Sequence, residues 1–323
     1  MIHSFIFSEG KLVGRDLELE ALRLVQGDKG LILWVDLDNP TDDEIKQVLE
    51  GIFHFHPLAI EDCMTPSSLP KIEDYEDYLF MVTHAVDFSR ADKFATTELD
   101  LFLGKEFLVT FHRTPLRSVS TLIERLSKNV GPGPRGPDRL THSLLDLLVD
   151  NYAPLLSELH AELEEIEETV LSQDSSKKFV SELLSVRKDF TQLRHIVRPQ
   201  RDVIDRLARG DSRFIRAKLL PYFRDLRDNL ARLEDTAIGY HERLMMAFDI
   251  YLNKAAFEAN EGIKFLTALT AITIPVMVVG TWYGMNFEHM SELSSAHGYR
   301  NAFLITIVLT LLTALYLKKK RWF

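Results

Sequence analysis

Residues 280–293, GTWYGMNFEHMSEL, place a polar turn with an amide and two carboxylates between two strongly apolar runs. The run before the turn, residues 263–282, reads IKFLTALTAITIPVMVVGTW and has one charged residue, at its start. Its length of about 20 residues is what a helix needs to cross a bilayer. The run after the turn, residues 299–317, is similar in length and carries Arg300 near its outer end. The sequence therefore predicts two membrane spans joined by a short loop, residues 283–298.

Basic residues next to the second span predict the orientation of the chain. The segment KKKR, residues 318–321, follows this span directly, and Lys and Arg beside a span favour the cytoplasmic side. Two spans return the chain to the side from which it came, so we expect both termini in the cytoplasm and the loop outside. No apolar segment follows a basic region near Met1, so a cleaved signal peptide is not expected. These features predict a multi-pass protein of the inner (plasma) membrane.

Composition narrows the classes of partner. The chain has 323 residues, a formal net charge of −10 and one cysteine, Cys63, which excludes an intrachain disulfide framework and fits a reducing compartment. The negative charge argues against nucleic acid, because a phosphate backbone is held by clustered Lys and Arg. It suits metal cations, although an acidic surface that only keeps a protein soluble gives the same count.

Sequence motifs also indicate which source of energy could drive ions across the membrane. The chain has no GxxxxGK[ST] motif for ATP, and neither span has an interior carboxylate or histidine for a proton relay. We therefore expect no enzymatic activity. The membrane potential supplies about 2.3 kcal/mol per elementary charge per 100 mV, and about twice that for a divalent ion, which is sufficient for inward passive flow.

The first 130 residues mix strand and helix patterns and predict an α/β or α+β domain. HSFIFSEGKLV predicts a hairpin turning at Glu9 and Gly10, and GLILWVDL is an apolar run of strand length. Thr41 and Glu44 have the spacing of a capping box at a helix start. The segments YLFMVTHAVDF and TTELDLFLGKEFLVTFH are rich in aromatic and β-branched residues, which favours further strands.

Residues 131–262 are expected to form a cytoplasmic helical region, followed by a transmembrane domain, residues 263–323. The segment GPGPRGP, residues 131–137, predicts a linker, and the apolar spacing after it is helical, with Pro154 as a possible kink. A second helix is predicted from about Lys177 to Leu207. A third begins near Pro221 and continues into the first span, about 60 residues or 90 Å. A helix of that length predicts a stalk between the cytoplasmic body and the membrane.

The first span has one polar side. On a helical wheel, the threonine, asparagine and glycine residues of this span fall in one stripe, and the opposite side is purely apolar. The stripe consists of Asn260, Ile263, Thr267, Thr270, Ile274, Met277, Thr281 and Gly284. Small residues on one stripe can also serve helix packing in a membrane. A single stripe cannot enclose a pathway, so a conduit requires several copies around an axis.

The turn at the end of the first span has the chemistry of a cation mouth. Gly284 allows a sharp bend, and Asn286 then offers an uncharged amide oxygen. Mg²⁺ gives up its water reluctantly, so a mouth that accepts it should hydrogen-bond the hydrated ion through amide or carbonyl oxygens. Glu288 and Glu292 would attract cations without gripping them, although ordinary loop solvation explains them equally well.

These motifs together resemble the CorA-type magnesium and cobalt transporter family. The resemblance rests on YGMNF, residues 283–287, between two C-terminal spans with a KKKRWF end. PYFRDLRD, YLNKAAFEANE and HPLAIEDC are similar to other stretches of the family. The resemblance implies a funnel-shaped homopentamer that transports Mg²⁺, with Co²⁺ and Ni²⁺ as alternative substrates. It also implies a selectivity filter of Gly284, Met285 and Asn286.

The same resemblance implies which residues line the pore. They include a polar ring at Asn260 and a hydrophobic constriction near Ile263 and Leu266. The implied pore-lining set is Asn260, Ile263, Leu266, Thr270, Ile274, Met277 and Thr281. Relatives often have Thr one turn after the proline, where this chain has Met277. One internal coordination ring therefore departs from the family pattern.

The family is further implied to sense cytoplasmic Mg²⁺ between subunits. The stalk ligands would be Asp225 and Asp228, and their partners in a neighbouring copy would be Asp87 or Asp92. Loss of Mg²⁺ would leave like-charged carboxylates facing each other and push the subunits apart, which would open the pore. On its own helix, Asp225 could instead pair with Arg224 or Arg227.

Two further clusters and two alternative functions stay open. The histidines and acids of HFHPLAIEDC have no metal-site spacing and predict capping of a helix that begins at Pro57. His160 and Glu164 could form a weak metal face, with a solvated helix side as the default. A zinc transporter of the wider family is the nearest alternative function, although Met285 favours magnesium. A membrane-tethered metal sensor or scaffold that does not conduct is the other.

Overall fold

The computed structural model describes residues 1–65, 69–86, 96–128, 133–172, 177–285, 297–320 and 322, with residues 177 and 178 by their backbone only. The chain divides into two compact units, Met1–Met246 and Ala247–Phe323. The domain limits predicted from the sequence, after residues 130 and 262, stay predictions.

The first unit contains a seven-stranded mixed sheet, as the sequence predicted for an α+β domain. Its strands are β1 Ile2–Ser8, β2 Lys11–Arg15, β3 Leu31–Asp38, β4 Lys71–Asp74, β5 Tyr78–Val86, β6 Thr96–Gly104 and β7 Phe107–His112. They are ordered β2-β1-β3-β7-β6-β5-β4. Neighbours pair antiparallel except β3 and β7, which are parallel in register from Leu33 opposite Phe107 to Asp38 opposite His112.

Two structures predicted from local sequence, a hairpin and a helix capping box, are present in the fold. Glu9 and Gly10 have φ values of 52° and 81° between β1 and β2. Positive φ at both central residues is the requirement of a tight hairpin turn. The Thr41 hydroxyl oxygen accepts a hydrogen bond from the Glu44 N–H at 3.3 Å, and Glu44 Oε2 accepts one from the Thr41 N–H at 2.8 Å. The predicted hairpin and capping box are both confirmed.

Every residue of β5 is buried, and successive residues of a strand point to opposite faces of the sheet. Both faces of the sheet are therefore covered, as helices cover them in α/β proteins. On one face, Phe80 and Phe102 pack in a core cluster with Ile60 and Cys63. The helices are α1 Leu19–Val25, α2 Asp42–Ile45 with a π-helical turn Lys46–Glu50, α3 Pro57–Met64, α4 Arg117–Ser127, α5 Pro137–Asp150, α6 Tyr152–Leu171, α7 Lys177–Arg209, α8 Leu220–Tyr283 and α9 Gly298–Lys319. A short 3₁₀ turn, Ala217–Leu219, precedes α8.

The interruption between α5 and α6 is sharper than the kink expected at Pro154. The two helices are separate and meet at Asn151. A proline ring clashes with the carbonyl group four residues earlier, here that of Asp150, which is the last residue of α5. The chain therefore begins a new helix, with Pro154 in its first turn.

His56 begins α3 by capping, as predicted. Its Nδ1 atom accepts a hydrogen bond from the Leu58 N–H at 3.2 Å, and Pro57 is the first helical residue. Asp62 forms an ion pair with Lys71 at 2.5 Å. The segment HFHPLAIEDC therefore supports the fold.

Long-range ion pairs hold the first part of α8 against α6 and α7. Arg201 Nη1 lies 2.5 Å from Glu234 Oε2, and Arg243 Nη2 lies 2.6 Å from Glu167 Oε2. Helix α8 has 64 residues, which confirms the single long helix predicted from near Pro221 into the first span.

Candidate ion pathway

The second unit contains the end of α8 and the whole of α9. On α8, Ala268 and Pro275 are buried, and Ile272 and Val279 are partly buried. On α9, the less exposed residues also recur about every four positions: Ala302, Thr306, Thr310, Ala314 and Leu317. Spacing of three and four places such residues on one side of a helix. We assign these faces, rich in small residues, to the contact between the two helices.

Most of the predicted pore-lining residues lie on the other side of α8. At 100° per residue, six of the seven point about 120° to 180° away from Ala268, whereas Asn260 points about 80° away. Ile263, Leu266 and Met277 have exposed fractions of 63%, 63% and 65% in the single chain. The stripe is therefore not covered by α9 and is available to other copies of the chain.

Exposure also distinguishes α8 and α9 from core helices of a soluble protein. Both helices are long and apolar enough to cross a membrane. In the most apolar 18-residue stretch of each, only 11% of α8 and 6% of α9 is buried. Exposed large side chains such as Phe265, Val276, Leu304 and Leu312 would be unfavourable in water. A lipid environment removes this cost, so the two helices are assigned as the membrane part of the protein.

Two threonines of the stripe use their hydroxyl protons within the helix. Thr267 Oγ1 donates to the Ile263 carbonyl oxygen at 2.8 Å, and Thr270 Oγ1 donates to that of Leu266 at 2.9 Å. Each hydroxyl oxygen still has lone pairs that can accept a hydrogen bond. The stripe can therefore present oxygen acceptors to the water shell of a cation.

Helix α8 ends at Tyr283 in a turn that is still hydrogen-bonded. The Gly284 N–H donates to the Gly280 carbonyl oxygen at 3.0 Å, and the Met285 N–H donates to that of Trp282 at 3.4 Å. A Cβ atom at position 284 would lie 2.9 Å from the Gly280 oxygen, so a side chain would crowd the last turn. Gly284 is not among the glycines with positive φ. Close approach to the helix therefore explains this glycine better than a left-handed bend.

Three of the predicted outer residues lie outside the described residues: Asn286, Glu288 and Glu292. Met285 is described and is 40% exposed. The predicted partners Asp87 and Asp92 also lie outside the described residues.

Both predicted stalk ligands are exposed on α8, but their surroundings differ. Asp228 accepts hydrogen bonds from Arg227 Nε at 3.0 Å and Nη2 at 2.8 Å. Arg227 Nη1 also lies 3.6 Å from Asp205 Oδ1. Among the described residues, Asp225 forms no ion pair, whereas Arg227 pairs with Asp205 and Asp228, so the alternative pairing of Asp225 with Arg224 or Arg227 is not seen in the single chain.

A buried histidine lies beneath Asp225. His142 of α5 is 7% exposed, and its ring packs edge-on against Tyr222 and Phe223, with centroids 5.5 and 5.4 Å away. Burial lowers the pKa of His142, with a further contribution from Arg139, although Asp146 and Asp225 act in the opposite direction. The imidazole is therefore uncharged at neutral pH and does not neutralise Asp225.

The oxygen chemistry of Asp225 fits a hard cation such as Mg²⁺. Among the described residues of one chain, no group of three or more His, Cys, Asp or Glu could hold a metal ion. Within this described part of the single chain, Asp225 therefore has no partner ligands for a metal. At the other candidate face, His160 stacks on Tyr240 with centroids 4.5 Å apart and lies 3.4 Å from Glu164, which are structural contacts.

Sequence reasoning missed the pairs that hold α8 in the body. Arg243 and Glu167 are 76 positions apart, and Arg201 and Glu234 are 33 apart. No local spacing marks such pairs. Only the buried side chain of Glu234, an acid with 6% exposure, distinguishes it from the many solvated glutamates, and this is known only from the structure.

A mixed-sheet body, a helix that runs from it into an apolar segment, and a second apolar helix define a membrane protein with a large soluble part. A family model described as CorA-like Mg²⁺ transporter protein matches residues 29–319. The chain therefore belongs to the CorA-like Mg²⁺ transporter family, a family of transporters.

Individual relatives agree with this assignment. The chain is 31% identical to YfjQ of Bacillus subtilis over 290 residues, covering 90% of this chain and 89% of that protein. It is 29% identical to the cobalt/magnesium transport protein CorA of Thermotoga maritima, covering 90% and 83%. The solved structure of the CorA magnesium transporter from Methanocaldococcus jannaschii has a TM-score of 0.83 at 22% identity, covering 99% of this chain and 98% of that one. The full-length fold is therefore shared.

Proposed function

We propose that this chain is the subunit of a gated divalent-cation channel that admits Mg²⁺ down the membrane potential, with Co²⁺ and Ni²⁺ as alternative substrates. The observation that carries the proposal is the exposed stripe of α8, on the side opposite its buried face. A ring of copies, expected to be a homopentamer, would turn these stripes towards a common axis. Membership in a transporter family supports the same function.

In this proposal both termini lie in the cytoplasm and the loop of residues 283–298 lies outside. The KKKR segment after α9 supports this orientation. The loop would place Gly284, Met285 and Asn286 at the outer mouth, with Glu288 and Glu292 nearby. A hydrated ion held by amide oxygens leaves more readily than one gripped by carboxylates, as conduction requires.

Metal influx into liposomes containing the purified protein tests the channel. We expect Mg²⁺ entry that increases with an inside-negative potential, and a decrease of at least about tenfold in Asn286→Ala because the hydrated ion loses its acceptor. Asn301→Ala is the matched control, since Asn301 lies at the start of α9 outside the proposed pathway. Absence of entry would favour the sensor or scaffold. Entry of Zn²⁺ in preference to Mg²⁺ would favour the zinc transporter.

Cytoplasmic Mg²⁺ is proposed to close the channel by binding between Asp225 of one copy and acidic residues of its neighbour. The absence of an ion pair at Asp225 in the described chain supports it as the main ligand. Asp228, which is held by Arg227, would contribute less, and Asp87 or Asp92 are the proposed partners.

The dose response to internal Mg²⁺ tests this regulation. Asp225→Ala should raise the half-inhibitory Mg²⁺ concentration by about tenfold, the loss of one charged ligand at about 1.4 kcal/mol. Asp228→Ala should shift it less. Asp235→Ala, another exposed aspartate on α8, is the control and should leave it unchanged. An unaltered response in Asp225→Ala would remove this residue from the sensor.

A further inference from the structure

A basic cleft lies between α7 and α8 in the first unit. It has a volume of about 280 Å³, and its polar lining residues are Thr191, Arg194, His195, Arg198 and His241. We call it the basic groove. Among the residues that the structure describes, no acidic side chain lines it. The chain as a whole has 48 acidic and 38 basic residues, so the groove reverses the charge balance of the chain locally.

The two arginines of the basic groove are not used by the fold. Arg194 and Arg198 are both exposed, and neither forms an ion pair or a side-chain hydrogen bond with the residues that the structure describes. Arg201 of the same helix does have a partner, because its Nη1 atom lies 2.5 Å from Glu234 Oε2. The groove arginines are therefore available to a ligand.

The positive charges around the groove repel one another. Burial lowers the pKa of His241, and the charges of Arg187 and Arg194 lower it further, although Glu242 acts in the opposite direction. The arginines themselves stay charged at physiological pH. Holding these groups together costs free energy, and an anion bound between them would remove that cost.

The arrangement of the donors suits an oxyanion. Arg194 and Arg198 are four residues apart, so they lie on the same side of α7, one turn apart. A guanidinium group presents its N–H donors in a fixed plane that matches the oxygens of a phosphate group. The imidazole of His241 adds a donor from α8. The groove is slightly smaller than the range of about 300–1,000 Å³ typical of ligand pockets, so a compact ligand is expected.

We propose that the basic groove binds a phosphate group, held by Arg194 and Arg198 of α7 and by His241 of α8. This site does not depend on the proposed channel, because all three residues belong to the first unit. A phosphate group can come from a small soluble compound or from an anionic lipid headgroup, and the experiment separates these sources.

Calorimetric titration of the full chain in a maltoside detergent with potassium phosphate tests the site. Potassium chloride of equal ionic strength is the blank, and no Mg²⁺ is present. We expect saturable binding to the parent protein. Arg194→Gln should raise the dissociation constant by at least about tenfold, because a charged, two-pronged contact is lost. Arg194→Lys keeps the charge without the planar fork, so it should raise the constant less.

Arg117→Gln is the matched control, since Arg117 is an exposed arginine on α4 outside the groove. It should leave the dissociation constant unchanged. Thermal unfolding separates ligand binding from a structural role of Arg194. Without phosphate, Arg194→Gln should melt at the same temperature as the parent or higher, because it removes a repulsion and no contact. With phosphate, only the parent and the control should gain stability.

Nanodiscs of phosphatidylcholine, with and without phosphatidylglycerol, identify the source of the phosphate. Binding of inorganic phosphate without phosphatidylglycerol would assign the groove to a soluble ligand. A rise in melting temperature that requires both phosphatidylglycerol and Arg194 would assign it to a lipid headgroup. Absence of saturable phosphate binding, or equal affinity in the parent and Arg194→Gln, together with no Arg194-dependent effect of phosphatidylglycerol, would overturn the site.

Discussion

At the scale of single residues, burial decides the chemistry of His84. This residue of β5 is 4% exposed, and neither ring nitrogen has a hydrogen-bond partner in the described structure. Its backbone is held firmly, because its N–H donates to Gln200 Oε1 at 3.2 Å and its carbonyl oxygen accepts from the Tyr152 hydroxyl at 2.6 Å. Burial lowers the pKa of His84 to about 4. The imidazole is therefore uncharged in the folded protein at neutral pH.

We predict that His84 makes folding less favourable in acid. The unfolded chain binds a proton near the ordinary histidine pKa of about 6.5, which the folded protein does not accept until about pH 4. The free energy of unfolding should therefore decrease as the pH falls between these values, by about 3 kcal/mol from this residue. Chemical denaturation at pH 7 and pH 4.5 measures the change.

His84→Leu should lose less stability between these pH values than the parent protein, because the buried group that titrates is gone. His54→Asn is the control, since His54 is exposed and has a positive φ of 53° that asparagine tolerates. An equal loss in His84→Leu and the parent would show that His84 does not contribute.

At the scale of elements, the linker after α4 meets the turn of the first hairpin backbone to backbone. A Cβ atom on Gly133 would lie 1.6 Å from the Gly10 carbonyl oxygen. Neither chain segment can relieve such an overlap by rotating a side chain. A glycine at position 133 is therefore required for this contact.

We predict that Gly133→Ala lowers the free energy of unfolding by about 3 kcal/mol, because the backbone of the hairpin or the linker must move. Gly27→Ala is the matched control, because a Cβ atom added to Gly27 would meet nothing within 4 Å. It should change stability by less than about 1 kcal/mol. Thermal unfolding of the detergent-solubilised protein measures both, and equal melting temperatures would contradict the close contact.

The buried face of α8 leads to a second prediction at this scale. Ala268 is fully buried, whereas Val276 is 53% exposed on a different side of the same helix. Ala268→Leu should overpack the contact with α9 and lower stability by about 1–3 kcal/mol, with reduced Mg²⁺ flux. Val276→Leu should leave melting temperature and flux unchanged. Tolerance of Leu at position 268 would contradict the assignment of the packing face.

At the scale of the whole molecule, the exposed stripe of α8 has a function only in an assembly. Native mass spectrometry in detergent should give a particle of five times the 37.1 kDa chain, apart from bound lipid. A monomer or a two-fold dimer would contradict the ring, because neither can enclose an axis with heterologous contacts.

Local patterns predicted much of this fold. The hairpin at Glu9 and Gly10, the capping box at Thr41 and the long α8 each depend on neighbours in sequence. The parallel pairing of β3 with β7 could not be predicted, because it joins segments more than 70 positions apart. The separation of α5 from α6 at Asn151, where only a proline kink was expected, has a local cause instead, because Pro154 lies four residues after the last residue of α5.

The candidate site divides in the same way. The stripe of residues on α8 could be predicted, because residues three and four positions apart lie on the same side of any helix. The sequence by itself therefore determined the two spans, the polar side of the first and its likeness to a transporter family. Only the tertiary structure decided that this side faces away from α9, and that Arg227 holds Asp228 while Asp225 has no such partner among the described residues. These outcomes depend on which distant segments pack together, and packing is set by contacts that no local pattern records.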